Sequence, residues 1–304
     1  MPSRHSSHVR VFSILFATSV ATIPATQFAR AGYIASANAG VPLLAGAEET
    51  ALSYDPTEVL SLEVAVLPVS IARVVVSSGT LGVKTSTTGT GIAVGVVANG
   101  LVGDDYNIFG NPQGTMLPLS FNFRLHGSLD ASSQFGDKNS QSHATVGYTA
   151  SLTSLDGGRD STSGQIQRSS IAGVPSLQRW SDASGFELSG GPIIDEKVSV
   201  TLPVSTGGRL SSSLTATALA SVSGGASADV DFLSTFALES ITLPSNYNRN
   251  GLGNLEVAFG SGKRYVVTQA DVTPVPEPSS LLLLVTGLVA LYRLLICCNL
   301  RQGC

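Results

Sequence analysis

Alternation of apolar with small polar residues is the dominant pattern of the chain between residues 32 and 273. Leu119–Leu129 reads Leu-Ser-Phe-Asn-Phe-Arg-Leu-His-Gly-Ser-Leu, so almost every second side chain is apolar. A period of two places the apolar residues on one face of an extended strand, because successive side chains point to opposite sides. Eight further runs with this pattern are 60–66, 70–77, 92–98, 144–152, 197–204, 210–222, 228–243 and 255–267.

Glycine, proline, asparagine and aspartate separate these runs. The pattern predicts an all-β domain over residues 32–273, an antiparallel β-sandwich or a jelly-roll-like fold. A short helix is expected within residues 48–60, limited by Pro56. Residues 155–164 interrupt the strand rhythm and are either a linker between two small sandwiches or a loop within one. We favour one sandwich, because all-β domains of roughly 240 residues are common.

Charge is scarce in this chain and excludes one class of partner. Charged residues make up 12% of the sequence, and the net charge is −4. An ordinary globular protein has roughly 25% charged residues. The thinly spread basic residues offer no positive stripe for a phosphate backbone, so we expect no nucleic-acid partner.

The N-terminus has the three parts of a secretory signal peptide. Arg4 and Arg10 supply the positive start, residues 11–23 are apolar, and Ala29-Arg30-Ala31 fits the cleavage rule for small residues. The sequence predicts a signal peptide over residues 1–31, cleavage after Ala31 and export through the Sec translocon. The alternatives are a buried helix or an uncleaved anchor, for which the apolar run is short.

The three cysteines, Cys297, Cys298 and Cys304, all lie at the C-terminal end. The exported body therefore has no thiol. No disulfide, cysteine nucleophile or cysteine-ligated zinc site is expected there, so the stability of the body must come from an apolar core.

The C-terminal segment, residues 274–304, combines a proline-rich stretch with an apolar one. An uncharged run follows from Leu281 to Tyr292, and Arg293 ends it. We expect a transmembrane helix at about 279–298, with Arg293 and Arg301 on the cytoplasmic side and the body outside. The stretch before the helix, held extended by its two prolines, consists of Val275, Pro276, Glu277, Pro278, Ser279 and Ser280.

This arrangement resembles the PEP-CTERM sorting signal of Gram-negative bacteria, which has a Pro-Glu-Pro triplet, a leucine-rich helix and a basic end. Leu281, Gly287 and Arg293 match the helix and its end. The resemblance implies recognition by an exosortase, an integral-membrane protease. It also implies a transient anchor in the inner membrane with a periplasmic body, followed by transfer to the cell surface or the extracellular matrix of a biofilm. The usual arginine cluster is missing, since residues 294–300 continue without charge; the alternative is a tail anchor that is never cut.

Candidate chemical groups in the body are few. His126 and His143 could share a metal with Asp130 or Asp137, but we expect both histidines to face solvent. Further acidic pairs are Asp104-Asp105, Asp195-Glu196 and Asp229 with Asp231. Asp229 and Asp231 would lie about 7 Å apart on one strand face, as in a glycosidase or as ordinary charges on an edge strand. The segment Asp104-Asp105-Tyr106-Asn107 is expected to be a loop that could bind calcium.

Trp180, the single tryptophan, is expected in a loop. Its side chain would either pack against the edge of the core or form a sugar-binding surface with Tyr148 or Tyr106. These candidates do not assemble into a known catalytic site, so we expect no catalytic residues, no metal and no cofactor. The leading hypothesis is a non-enzymatic structural or adhesive protein that contacts exopolysaccharide. A carbohydrate- or calcium-binding module and a glycoside-acting hydrolase are the alternatives.

Overall fold

The computed structural model describes residues 33–40, 48–66, 70–89, 94–111, 113–181, 192–221, 225–249 and 252–270. These ranges contain strands and turns and no helix. The strands in chain order are β1 (Tyr33–Gly40), β2 (Glu48–Ser53), β3 (Leu60–Val66), β4 (Ser70–Ser77), β5 (Thr80–Thr88), β6 (Val94–Phe109), β7 (Leu117–Ser132), β8 (Gln141–Ser154), β9 (Arg159–Ile171), β10 (Val174–Ser181), β11 (Ile193–Val204), β12 (Gly207–Ala220), β13 (Ser227–Leu243), β14 (Glu256–Phe259), β15 (Arg264–Val266) and β16 (Thr268–Gln269).

The strands form two sheets that pack face to face. The A sheet has the order β10-β9-β8-β12-β6-β1-β2, with β14 beside β6 and β15 beside β14. The B sheet has the order β11-β7-β13-β5-β4-β3, and the short β16 pairs with β13 in parallel. The other pairings of the described strands are antiparallel. The expected all-β fold with two sheets is confirmed.

One apolar core lies between the sheets, and strand alternation builds it. In β11 exposed and buried residues alternate without exception from Ile193 to Val204. Aromatic rings from both sheets meet in the middle of the core: Phe123 stacks on Phe236 at 5.2 Å between ring centroids, and Tyr148 of the A sheet lies 5.8 Å from Phe236. Such pairs add about 0.5–1.5 kcal/mol to the gain from burial.

The long strands give the sandwich two distinct ends. Strand β13 begins at Ser227, which pairs with Ser132, and finishes at Leu243, which pairs with Gln269. The N–H of Ala270, the last described residue, donates to the carbonyl oxygen of Leu243. We call this end the exit end and the Ser227 end the far end. At about 3.3 Å per residue, β13 places the two ends roughly 50 Å apart.

Two local predictions are wrong, and the interruption expected over residues 155–164 is a shorter turn. The helix expected within residues 48–60 is wrong, because residues 48–53 form strand β2 on the edge of the A sheet, paired with β1. The run 255–267 is a hairpin of β14 and β15 rather than one strand, with Gly262 at φ +86° in its turn. Residues 155–158 form the turn of the β8–β9 hairpin, closed by the N–H of Ser154 on the carbonyl oxygen of Gly158 at 2.8 Å.

The predicted signal peptide with Ala29 and Ala31, and the C-terminal segment from residue 274, lie outside the described residues. So does the transmembrane helix expected at about 279–298. Within the described ranges, nothing meets the length and hydropathy that a membrane-crossing helix requires.

Candidate functional site

The outward side of the A sheet carries a broad array of hydroxyl and amide side chains. Four adjacent strands, β9, β8, β12 and β6, contribute to it, and strand alternation turns every second residue outward. We call this array the neutral face; it consists of Asn99, Thr145, Thr149, Ser151, Ser161, Ser163, Gln165, Gln167, Ser211, Ser213, Thr215 and Thr217.

The strand register arranges the neutral face in rows. Thr145 pairs with Gln167 on one side and Thr217 on the other, and two residues along, Gly147 lies between Gln165 and Thr215. Neighbouring strands are about 4.8 Å apart, and outward residues repeat about every 6.8 Å along a strand. Strands β9, β8 and β12 therefore present a grid of roughly 10 by 20 Å. Strand β6 adds Asn99 beside it, between the outward-facing Val97 and Leu101.

Ionisable groups occur only at the two ends of this face. His143 lies at the far-end side, where its Nδ1 is 2.8 Å from the hydroxyl oxygen of Ser169. Burial lowers the pKa of His143, so its ring is neutral at pH 7. Towards the exit end, Arg209 donates to Asp105 at 2.9 Å, and their charges cancel. Arg159, exposed on the outward side of β9, adds a further positive charge at the exit end. The twelve residues of the neutral face are themselves uncharged.

Many hydroxyl groups of the neutral face are available to a ligand or to water. Thr215 donates to the Asn99 side-chain oxygen at 3.0 Å. The hydroxyl groups of Thr145, Thr149 and Ser213 make no hydrogen bond to another residue in the described part of the chain. The face therefore offers donors and acceptors in fixed positions without exposing an unpaired charge.

The outward side of the B sheet is different, because it holds most of the ion pairs. The Arg124 guanidinium donates two hydrogen bonds of 2.8 Å to the Asp195 carboxylate. The Lys84 ammonium donates one of 2.6 Å to the Asp231 carboxylate. Both salt bridges join neighbouring strands. The two outward faces of the sandwich are thus chemically distinct, one neutral and one charged.

Asp229 and Asp231 lie on this charged face, on the same side of β13 as expected. The expectation of an exposed sheet edge is wrong, because β13 lies between β7 and β5 in the interior of the sheet. Asp231 is bound to Lys84, while burial raises the pKa of Asp229. The two carboxylates therefore have different surroundings.

The segment from Asp104 to Asn107 is not the loop that a calcium site requires. It lies within β6, so successive side chains point to opposite faces of the A sheet. Asp104 and Tyr106 point into the core, whereas Asp105 points outward to Arg209. Their oxygens cannot converge on one ion. Among the described residues, no group of three histidine, cysteine or acidic side chains has the proximity that a metal ion needs.

The two histidines lie on opposite outer faces, His126 on the B sheet and His143 on the A sheet, so they do not form a pair. His126 is exposed as expected, but His143 is half-buried. Asp195 and Glu196 also separate, since Asp195 points outward to Arg124 and Glu196 points inward.

The sugar-binding platform proposed around Trp180 does not form with the tyrosines named for it. Tyr106 and Tyr148 are buried in the core. The backbone of Trp180 belongs to strand β10 rather than to a loop, and its side chain lies outside the described structure.

A buried carboxylate in a cavity between the sheets was not anticipated from the sequence. Asp104 is only 5% exposed and accepts a hydrogen bond from the N–H of Ser261, in the β14–β15 turn, at 3.2 Å. Phe259, Leu238 and Tyr265 line the same cavity. Burial raises the pKa of Asp104 to about 6. The inward position of residue 104, in step with Ala98 and Val102, is the signal that could have revealed it.

The segment that follows the sandwich is similar to a known protein-sorting signal. Residues 274–294 match a family model described as the PEP-CTERM protein-sorting motif. This chain carries a PEP-CTERM sorting motif. It is therefore an exported protein directed to the cell surface, with an exosortase as its processing partner. Neither the curated proteins nor the solved structures contain a match to the chain.

The motif of this PEP-CTERM protein begins four residues after Ala270, the last described residue. Ala270 is held at the exit end of the sandwich. The sorting motif therefore follows the exit end, and the far end is the part of the body most remote from it along β13.

Proposed function

We propose that this PEP-CTERM protein is a non-enzymatic, adhesive component of the cell surface or the exopolysaccharide matrix. In this proposal it binds uncharged polysaccharide through the neutral face. The observation that carries the proposal is the contrast between the two outer faces. Ion pairs join strands on the B sheet, while hydroxyl and amide groups cover β9, β8 and β12 of the A sheet, with Asn99 of β6 beside them.

A flat neutral grid suits a polymer rich in hydroxyl groups. Each hydrogen bond exchanged for water contributes only about 0.5–1.5 kcal/mol, so useful affinity requires many of them at once. A polysaccharide lying along the strands meets one row of hydroxyl groups after another. Because the twelve residues of the neutral face carry no charge, contact with them needs no desolvation of an unpaired ion.

The sorting motif supplies the route to the site of action. In the proposed sequence of events, the chain enters the Sec translocon and the helix at about 279–298 holds it briefly in the inner membrane. The exosortase then acts near Pro276-Glu277-Pro278, and the body reaches the outer surface. A body without cysteine fits this route, because its folding does not depend on disulfide formation.

Co-sedimentation with insoluble polysaccharides tests this function. The full chain, kept in a polyoxyethylene detergent that contains no sugar, is mixed with microcrystalline cellulose, insoluble β-1,3-glucan or starch granules. In the test variant, Thr145→Lys and Thr217→Lys place two charges on the neutral face. We expect its affinity for the bound polymer to fall at least tenfold, since two charges must then be desolvated.

The matched control places the same charges on the opposite face. Ser120 and Thr201 are cross-strand partners on the outward side of the B sheet, with their hydroxyl oxygens 2.7 Å apart. Ser120→Lys with Thr201→Lys should leave retention unchanged. Equal losses in both variants, or no retention of the wild-type chain by any neutral polymer, would refute the proposed function.

A further inference from the structure

Three large apolar side chains project into solvent at the far end of the sandwich. Phe135, in the β7–β8 loop, is 86% exposed, and Ile171 and Val174, beside the β9–β10 turn, are 45% and 63% exposed. We call these three residues the far tip. Solvation of so much apolar surface is unfavourable, and contiguous patches of this kind commonly mark binding sites.

Hydrogen bonds connect the two backbone segments beneath the far tip. The N–H of Gly136 donates to the carbonyl oxygen of Ala172, and the N–H of Gly173 donates to the hydroxyl oxygen of Ser133. These bonds fasten the β9–β10 turn to the β7–β8 loop. Ala172 has a φ of 52°, a left-handed conformation that is uncommon for residues other than glycine. Phe135 thus lies in a loop that is hydrogen-bonded to the neighbouring turn.

The far tip continues the neutral face. Ile171 pairs with both Gln141 and Val174, so its side chain lies on the outward side of the A sheet, in line with Ser169 and Gln167. A polymer lying along the neutral face would reach the tip at its end. The tip also lies at the opposite end of β13 from Ala270, the last described residue before the sorting motif.

The size of the patch argues against a second copy of the chain as its occupant. The three side chains expose roughly 350 Å² together. Two such patches would bury roughly 700 Å², well below the 1,200 Å² that a stable protein interface needs. An area of this size matches one or two sugar rings, whose apolar C–H faces stack on an aromatic ring.

We propose that the far tip is a stacking subsite for one or two pyranose rings at the end of an uncharged polysaccharide that lies along the neutral face. This inference rests on the proposed function and adds a specific contact to it. Phe135 provides the stacking surface, and Ile171 and Val174 contact the apolar edge of the next ring.

The test compares Phe135→Ala, Phe135→Trp and Leu155→Ala in the same co-sedimentation assay, with the full chain and the polymer that retains it best. Leu155 is the matched control, because it is 74% exposed in a turn at the exit end. An aromatic stack contributes about 0.5–1.5 kcal/mol, so Phe135→Ala should weaken binding about three- to tenfold. Phe135→Trp should bind at least as tightly as wild type, and Leu155→Ala should be unchanged.

Failure of this inference differs from failure of the proposed function. If the paired lysines on the neutral face abolish retention while Phe135→Ala leaves it intact, the subsite is refuted and the function stands. If Phe135→Ala abolishes a dimer seen by chemical cross-linking, or flotation with neutral phosphatidylcholine vesicles, without changing polymer retention, the occupant is a second copy or a lipid surface and the subsite is equally refuted.

Discussion

The pH dependence of stability tests whether the Asp104 carboxyl group is buried between the two sheets. Its carboxyl group points into the core side of β6, where burial raises its pKa from 3.8 to about 6. The N–H of Ser261 and the Arg209 charge oppose this shift, whereas the neighbouring Asp105 adds to it. We predict that Asp104→Asn removes a pH-dependent destabilisation of the fold, since an amide oxygen can still accept the Ser261 hydrogen bond.

The direction and size of this pH effect follow from the pKa of Asp104 in the folded protein. Because the folded protein holds this proton more tightly than the unfolded chain, the contribution of Asp104 to stability is greatest below pH 4 and is lost as the pH rises through about 6. The full shift corresponds to about 3 kcal/mol, and we expect about 2 kcal/mol after allowing for solvent at the cavity mouth. Above pH 7 the destabilisation is constant.

Urea unfolding between pH 4 and pH 8 measures the effect. The difference in unfolding free energy between Asp104→Asn and wild type should shift in favour of the variant by about 2 kcal/mol from pH 4 to pH 7.5. Taking the difference removes the contribution of other titrating groups. A difference that stays constant over this range would show that Asp104 is not buried as a carboxylate, and the reasoning about the cavity would fail.

Two further predictions concern backbone packing and processing. Gly82→Ala should destabilise the fold by about 2–4 kcal/mol, because a Cβ at residue 82 would lie 2.1 Å from the carbonyl oxygen of Leu233. Gly147→Ala is the control, because a Cβ at residue 147 would lie 3.8 Å from its nearest neighbouring atom, and it should change stability by less than about 0.5 kcal/mol. Thermal unfolding measures both variants. Equal losses of stability in the two variants would contradict the close approach of Leu233 to Gly82. Intact-mass spectrometry of the exported protein should find a C-terminus near residue 276; material that keeps Arg293 would indicate an uncut anchor.

Strands with clear apolar alternation could be predicted closely from the sequence. The runs 60–66 and 70–77 coincide with β3 and β4, and the run 228–243 differs from β13 by one residue. In these segments the inward positions are apolar, so the period of two is visible. Their pairing order could not be predicted, because β12 pairs with β6 although residues 110–206 lie between the two strands in the sequence.

Strands whose inward side is not apolar were missed or cut short. In β9 the inward positions include Thr162, Arg168 and Ser170, and Ile166 is its one buried apolar residue. The prediction for β6 ended at residue 98, because Gly100 and Asp104 occupy inward positions further along. Hydrogen bonds to neighbouring strands hold these segments extended, which a local pattern cannot reveal.

The arrangement of the neutral face could not be predicted from a local sequence pattern either. The abundance of serine and threonine and the scarcity of charge are both plain in the sequence. Which hydroxyl groups lie side by side depends on the register of β8, β9 and β12, and the register is set by long-range pairing. The separation of neutral and charged side chains onto two faces therefore emerged only from the fold.

Thiol labelling would test most directly whether the neutral face is the surface that contacts polysaccharide. Replacing Cys297, Cys298 and Cys304 by serine leaves a chain without thiols. One cysteine is then introduced either as Thr149→Cys on the neutral face or as Thr201→Cys on the charged face, both at exposed positions. Saturating neutral polysaccharide should slow maleimide labelling at residue 149 at least threefold and leave the rate at residue 201 unchanged. Equal rates with and without polymer at residue 149, or protection at residue 201 instead, would contradict the account.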